Sequence, residues 1–116
     1  MMRPTIIHKI LPKNVYEECS NPRQFEGWRD DLVDGFIHCS TSAQMRGTLG
    51  KHFASHDQLV VLSFDASHLP GLKWEISRNN TEFPHIYGQL DLHQALSLHV
   101  IARGKDGHFV LPEDWG

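Results

Sequence analysis

Two short segments, Gly35-Phe36-Ile37-His38-Cys39-Ser40-Thr41 and Phe83-Pro84-His85-Ile86-Tyr87-Gly88, constrain this chain most, because each sets a histidine inside an apolar stretch that reads as a strand. An unpaired polar group in an apolar layer costs roughly 1 to 3 kcal/mol, so each histidine must find a protein partner or line a cleft where a ligand supplies one. His8, between Ile7 and Ile10 near the start, poses the same demand a third time. Three such positions predict a histidine-lined pocket.

The 116 residues fit a single domain, 1–116, large enough to bury a core without disulfides or a structural metal. Eleven basic against fourteen acidic side chains give a net charge of -3, which provides no broad basic field for a nucleic-acid backbone and argues against non-specific DNA or RNA binding. The start, Met1-Met2-Arg3-Pro4-Thr5, leads only into a short apolar stretch broken by His8, with neither a signal-peptide core nor a membrane span. A cytoplasmic protein with no membrane partner is expected. Cys19 and Cys39 lack C-x-x-C spacing and suit free thiols in a reducing compartment, so the glycosylation-like Asn79-Asn80-Thr81 is accidental.

Nine histidines are the compositional oddity. Their scatter excludes a tag and assigns His56, His68, His93 and His108 to the surface. Along the chain, Thr5 to Ile10 reads as a strand with Ile6, His8 and Ile10 on one face. Pro12 opens a short helix through about Glu18. Ser20 to Asp34 is polar and reads as a loop carrying Phe25 and Trp28, either a lid or a segment anchored on the core by those aromatics.

Phe36 to Ser40 is a second strand, after which Ser40, Thr41 or Ser42 caps a helix to about Phe53 that buries Met45, Leu49 and Phe53. Gln58 to Phe64 is a strongly apolar strand, expected to pair antiparallel with Leu72 to Ile76 beyond the Asp65-Ala66-Ser67 turn. Phe83 to Tyr87 and Ala95 to Ala102 complete the strands, and a turn at Lys105-Asp106-Gly107 precedes a last extended piece, His108 to Leu111. The class is α+β, with mainly antiparallel strands and two or three short helices.

Period-two geometry sorts the candidate residues. With His38 on the cleft face, Ser40 lies beside it and Cys39 points away, which makes Cys39 a poor nucleophile for His38. Ser40 lacks the Gly-x-Ser-x-Gly elbow of a hydrolase. His85 and Tyr87 share a face as ligand contacts. Glu75, the one carboxylate in the middle of an apolar segment, is either an acid, base or hydroxyl acceptor, or an edge-strand charge. His52 and His56 have metal-ligand spacing, but they sit at a helix end that favours histidine through the dipole, and no metal is assigned.

Ile7-His8-Lys9-Ile10, Asp34 to Thr41, Leu72-Lys73-Trp74-Glu75 and Phe83 to Gly88 follow the order and spacing of a family of small bacterial proteins of unknown function, which the chain resembles over nearly its whole length. That family is in turn similar in fold to the ADP-ribosyltransferase-like superfamily, which includes the RNA 2'-phosphotransferases. The resemblance implies a split antiparallel sheet with an NAD cleft, in which His8 contacts the cofactor and a later glutamate often completes the site; Glu75 falls earlier in this chain than that glutamate. Ile37-His38-Cys39-Ser40 resembles the Val-His-Leu-Ser stretch of the phosphotransferases. Lys9-Ile10 stands where those enzymes have Gly-Thr, and only Arg46 and Arg78 lie near the candidate segments.

Two function classes follow. In one, a sensor or accessory module binds a small anionic or nucleotide-like ligand through His8, His38, Ser40, Thr41, His85 and Tyr87. In the other, an NAD-dependent ADP-ribosyl- or phospho-transfer enzyme uses His38 and Glu75 catalytically.

Overall fold

A computed structural model of the protein describes residues 4–77 and 80–115. Arg78, Asn79 and the first three residues, which carry parts of the arginine, glycosylation and leader expectations, lie outside the described residues. Among the described residues six strands form two three-stranded antiparallel sheets. In the first, β3 (Gln58–Asp65) lies between β1 (Ile6–Pro12) and β6 (Ser97–Ala102). In the second, β5 (Glu82–Ile86) lies between β2 (Ile37–His38) and β4 (Leu72–Ile76). Three short helices, α1 (Lys13–Glu17), α2 (Asp30–Asp34) and α3 (Met45–His52), complete an α+β architecture. Among the described residues no helix is long and apolar enough to cross a membrane.

Strands β1 and β3 of the first sheet are buried on both faces, as the unbroken apolar run of β3 requires, while the edge strand β6 is largely exposed. Ile7, Leu11, Val60, Leu62 and Phe64 face a core shared with Ile37, Cys39 and Ile86 of the second sheet. Ile10, Leu59, Val61 and Ile101 face the other way, onto Met45 and Leu49 of α3 together with Phe53, Phe109 and Trp115. Burying each such side chain contributes roughly 1.5 to 3 kcal/mol. That burial sustains α3, whose two glycines, Gly47 and Gly50, each weaken an isolated helix by about 1 kcal/mol.

One backbone bridge joins the sheets. The His8 N–H donates to the Ser40 carbonyl at 2.8 Å, and the Ser40 N–H donates back at 2.9 Å. The expected strand from Phe36 to Ser40 therefore shortens to Ile37–His38, with Ser40 crossing from its own sheet to the edge of β1. Around this bridge, residues of both sheets line a common cleft together with residues of α2 and α3.

The expected pairing of β4 with the 58–64 strand is overturned. β4 instead pairs with β5, with Trp74 opposite Pro84 and Glu75 opposite Phe83. The reason is visible in the residues. β3 is apolar on both faces and takes a central place, whereas β4 alternates Leu72 and Trp74 against Lys73 and Glu75 and suits an edge with one wet face. Residues 20–34, expected as a loop, contain α2 and a 3₁₀ turn at Pro22–Gln24, and are tied down by reciprocal backbone bonds between Phe25 and Leu90. Trp28 stacks on Phe53 at 6.0 Å between ring centres. Anchoring, not an open lid, describes this segment. The expected extended piece at 108–111 amounts to a single bridge, Arg103 with Phe109.

Gly71 shows how closely β4 and β5 are joined. Its φ is +80°, its carbonyl accepts from the Tyr87 N–H at 2.9 Å, and a Cβ there would strike the Tyr87 carbonyl oxygen. Gly71→Ala is expected to lower stability by about 2 kcal/mol or more, read as a fall in the urea midpoint with an unchanged slope.

Candidate functional site

The cleft lined by both sheets has a volume of about 250 Å³. His8, Lys9 and Ile10 of β1, His38 with Ser40, and His85 of β5 form its inner wall, while Trp28, Arg29, Asp30 and Lys51 lie toward its rim. His38 sits directly opposite His85 in the pairing of β2 with β5, so the two rings share a face, with centres 5.4 Å apart. Phe36 stacks on His85 at 4.1 Å and tilts against His38 at 4.6 Å. Ile37 and Ile86 take the opposite face and enter the core.

Asp31 organises this wall from below. It is 3% exposed, and each carboxylate oxygen accepts two hydrogen bonds. Oδ2 accepts from Lys9 Nζ at 2.7 Å and the Trp28 N–H at 2.9 Å. Oδ1 accepts from the His38 N–H at 2.9 Å and pairs with His38 Nδ1 at 2.7 Å. Burial alone pushes the Asp31 carboxyl up, but the His38 ring and the Lys9 ammonium outweigh it and hold the group down at about 2. The close approach needs Gly27, whose φ is +127° and where a Cβ would lie 2.6 Å from Asp31 Cβ.

His38 is clasped on its other side as well, Nε2 lying 3.0 Å from Asp34 Oδ2. Both ring nitrogens can donate to these carboxylates only from the imidazolium. Lys9 is equally enclosed, at 4% exposure, and its Nζ also donates to the His38 carbonyl at 3.0 Å. Two of its three protons are thus directed to protein acceptors.

His85, 4% exposed, is arranged differently. Its Nδ1 lies 2.8 Å from Glu75 Oε1, which also accepts from the Tyr87 hydroxyl at 2.7 Å. The bonds from His85 and Tyr87 hold the Glu75 carboxyl below its ordinary value, and the same carboxylate pushes the Tyr87 hydroxyl up. His85 Nε2 has no hydrogen-bond partner among the described residues.

Of the residues singled out in the sequence, His8, His38, Ser40 and His85 line the cleft. His8 is fully buried, with Nδ1 and Nε2 each 2.8 Å from a serine hydroxyl, Ser63 and Ser42, and its ring against Trp115. Ser40 shares a hydroxyl contact with Thr48 at 3.0 Å. Thr41 starts the turn into α3, its N–H donating to Gln44 Oε1. Glu75 and Tyr87 stand behind His85 and do not line the cleft. Cys39 points into the core, where burial pushes its thiol up to about 12, so it supplies no thiolate. Among the described residues no group of three or more potential ligands is placed to hold a metal ion.

Lys9 and Asp31 were missed. A lysine in the middle of a buried strand was the available signal, because burying an ammonium demands a carboxylate nearby.

The family described as "Protein of unknown function (DUF952)" matches residues 10–98. The crystal structure of protein CC0527 from Caulobacter crescentus is similar at a TM-score of 0.86 and 35% identity, over 96% of this chain and 98% of that one. The solution structure of CC0527 from the same organism gives a TM-score of 0.78 at 36% identity, over 90% of this chain and 91% of that one. No curated protein matches.

The low value of the Asp31 carboxyl fixes the sign of a pH effect. Its pKa is about 2 in the native protein against an ordinary 3.8, so the stabilisation is complete above about pH 4 and is lost as pH falls toward 2. The difference corresponds to roughly 2 to 3 kcal/mol. Asp31→Asn is expected to remove this acid-limb slope from a series of urea titrations, and at pH 7 to cost about 3 to 5 kcal/mol because Lys9 is left buried without its carboxylate.

Proposed function

The chain belongs to the DUF952 family of proteins of unknown function, and from that premise we propose that its cleft binds a small anionic metabolite, as a sensor or accessory module. The balance of charge around the cleft carries this reading. Asp31 and Asp34 are engaged by Lys9 and His38, and Asp30 faces His52 at 4.0 Å. Arg29 and Lys51, by contrast, have no carboxylate partner among the described residues, Arg29 resting over the Trp28 ring. The cations Arg29 and Lys51 at the rim are therefore available to an anion, while Asp31 and Asp34 are held by protein partners. Farther in, the remaining Lys9 proton and the Ser40 hydroxyl add donors, and His85 Nε2 adds an acceptor.

The volume, about 250 Å³, lies just below the common range of roughly 300 to 1,000 Å³ for small-molecule sites. It suits one ring bearing a phosphate or carboxylate.

A second reading, NAD-dependent ADP-ribosyl- or phospho-transfer, draws support from the two separate antiparallel sheets whose residues line the cleft, a split-sheet arrangement of the kind that the resemblance to ADP-ribosyltransferase-like proteins implies. In this chain the ring nitrogens of His8 are occupied by Ser42 and Ser63, and Glu75 stands behind His85, so neither is placed to touch a ribose without rearrangement. A dinucleotide also exceeds the cleft and would be enclosed over one half only.

Thermal-shift measurements with orthophosphate, ribose 5-phosphate, adenosine 5'-monophosphate, ADP-ribose and NAD test both readings, because a ligand bound only by the native state raises the midpoint by mass action. A monophosphate is expected to raise the midpoint of the wild type and to lose that effect in Lys51→Ala and Ser40→Ala. A shift with NAD accompanied by nicotinamide release supports the transferase instead. No shift with any of the five overturns the anionic-ligand reading.

A further inference from the structure

We infer that His85 is a general base in the cleft, its Nε2 receiving the proton of a hydroxyl bound there while Glu75 holds the ring from behind. The inference rests on the reading of the cleft as a ligand site and goes beyond it, from binding to chemistry.

Four observations carry it. First, His85 is 4% exposed, so its orientation is set by the protein and not by solvent. Second, Nδ1 is 2.8 Å from Glu75 Oε1, an ionised carboxylate that only accepts, so the neutral ring places its proton on Nδ1 and leaves the lone pair on Nε2. Third, Phe36 stacks on the ring at 4.1 Å with 28° between planes, and β5 carries the histidine opposite His38, which together fix the direction of that lone pair. Fourth, Nε2 has no partner among the described residues although the side chain lines the cleft. A ring nitrogen that lines the cleft without a protein partner is open to a molecule bound there.

His38 provides the contrast within the same wall. Its two nitrogens both face carboxylates, Asp31 and Asp34, so neither points into open space in the cleft. The two opposed histidines thus have separate roles, one clasped by carboxylates and one a base. The titratable groups facing His85 are Lys73 and Glu75 from β4, His38 from β2 and Tyr87 just past β5.

The proton step balances within the site. The O–H bond of the bound hydroxyl breaks, its proton passes to Nε2, and the electron pair stays on the oxygen, which becomes the nucleophile. The ring becomes an imidazolium whose Nδ1–H is held by the Glu75 carboxylate, with the Tyr87 hydroxyl on the same oxygen. His85 is the group that touches the reacting atom. Glu75 is a positioning residue that selects the tautomer.

The test needs no knowledge of the ligand. In the full chain labelled with ¹⁵N, long-range proton–nitrogen correlation of the histidine rings near neutral pH is expected to find the His85 proton on Nδ1 and a lone pair on Nε2. Diethyl pyrocarbonate, which acylates an unprotonated ring nitrogen, is expected to modify His85 in the folded protein, as read by mass spectrometry. Glu75→Ala should shift the ring toward the other tautomer and slow modification several-fold, whereas Glu75→Gln, which retains an acceptor oxygen, should restore the tautomer. A proton on Nε2 in the wild type, or a modification rate and tautomer unchanged in Glu75→Ala, overturns the inference. The anionic-ligand reading stands or falls separately, on the thermal shift with orthophosphate and the monophosphates. A correct tautomer without any shift retains the base and discards the anion, and a shift with the wrong tautomer does the reverse.

Discussion

A buried carboxylate that accepts four hydrogen bonds from three separate stretches of chain sits at the base of this structure. Asp31, on a helix of five residues, binds the ammonium of Lys9 from β1, the backbone and ring of His38 from β2, and the Trp28 N–H at the start of its own turn. An ion pair taken out of water offsets its desolvation only when most of its lone pairs and protons find partners, and here the carboxylate accepts four hydrogen bonds and two of the three ammonium protons reach protein acceptors. The consequence reaches both sheets. Lys9 belongs to the first and His38 to the second, so the Asp31 carboxylate holds the two sheets at a fixed separation beside the single bridge between His8 and Ser40. The cleft is the space this separation leaves.

The chemistry of the wall follows from the same arrangement. Antiparallel pairing of β2 with β5 sets His38 opposite His85, and period-two alternation sends Ile37 and Ile86 into the core, so two imidazoles must emerge together on the cleft face. Their different partners then divide their roles. His38 lies between two carboxylates, while His85 has one carboxylate behind it and an open nitrogen in front. His8, with both nitrogens bonded to serines, packs against Trp115 at the floor and contributes chiefly to the junction of the sheets.

Much of this was legible in the residues, and the limits have physical causes. The apolar runs of β1, β3 and β5, the burial of Met45, Leu49 and Phe53, and the placing of His38 and Ser40 on one face with Cys39 on the other follow from local patterning, which the structure retains. Strand pairing was less accessible. Sequence proximity suggested β3 with β4, but a strand buried on both faces needs neighbours on each side, and these come from the far ends of the chain, β1 and β6. The short helix carrying Asp31 was hidden for another reason: five polar-rich residues have no periodicity of their own, and the helix is held by the tertiary ion pair that it supplies. Lys9 and Asp31 are recognisable only as a pair, and no local rule joins positions separated by twenty-two residues.

The likeness to CC0527 over nearly the whole length of both chains gives the fold an experimental counterpart, and the family match extends it to residues on both sides of the cleft. The account stands on Asp31 as the group that assembles the wall of the cleft. The most direct measurement is the ¹³C titration of the Asp31 carboxyl by NMR, followed together with the His38 ring and the Trp28 amide. A midpoint near 2, with the His38 and Trp28 signals moving at that same midpoint, is the predicted result. A midpoint at or above the ordinary 3.8, or His38 and Trp28 signals indifferent to the titration, would contradict it.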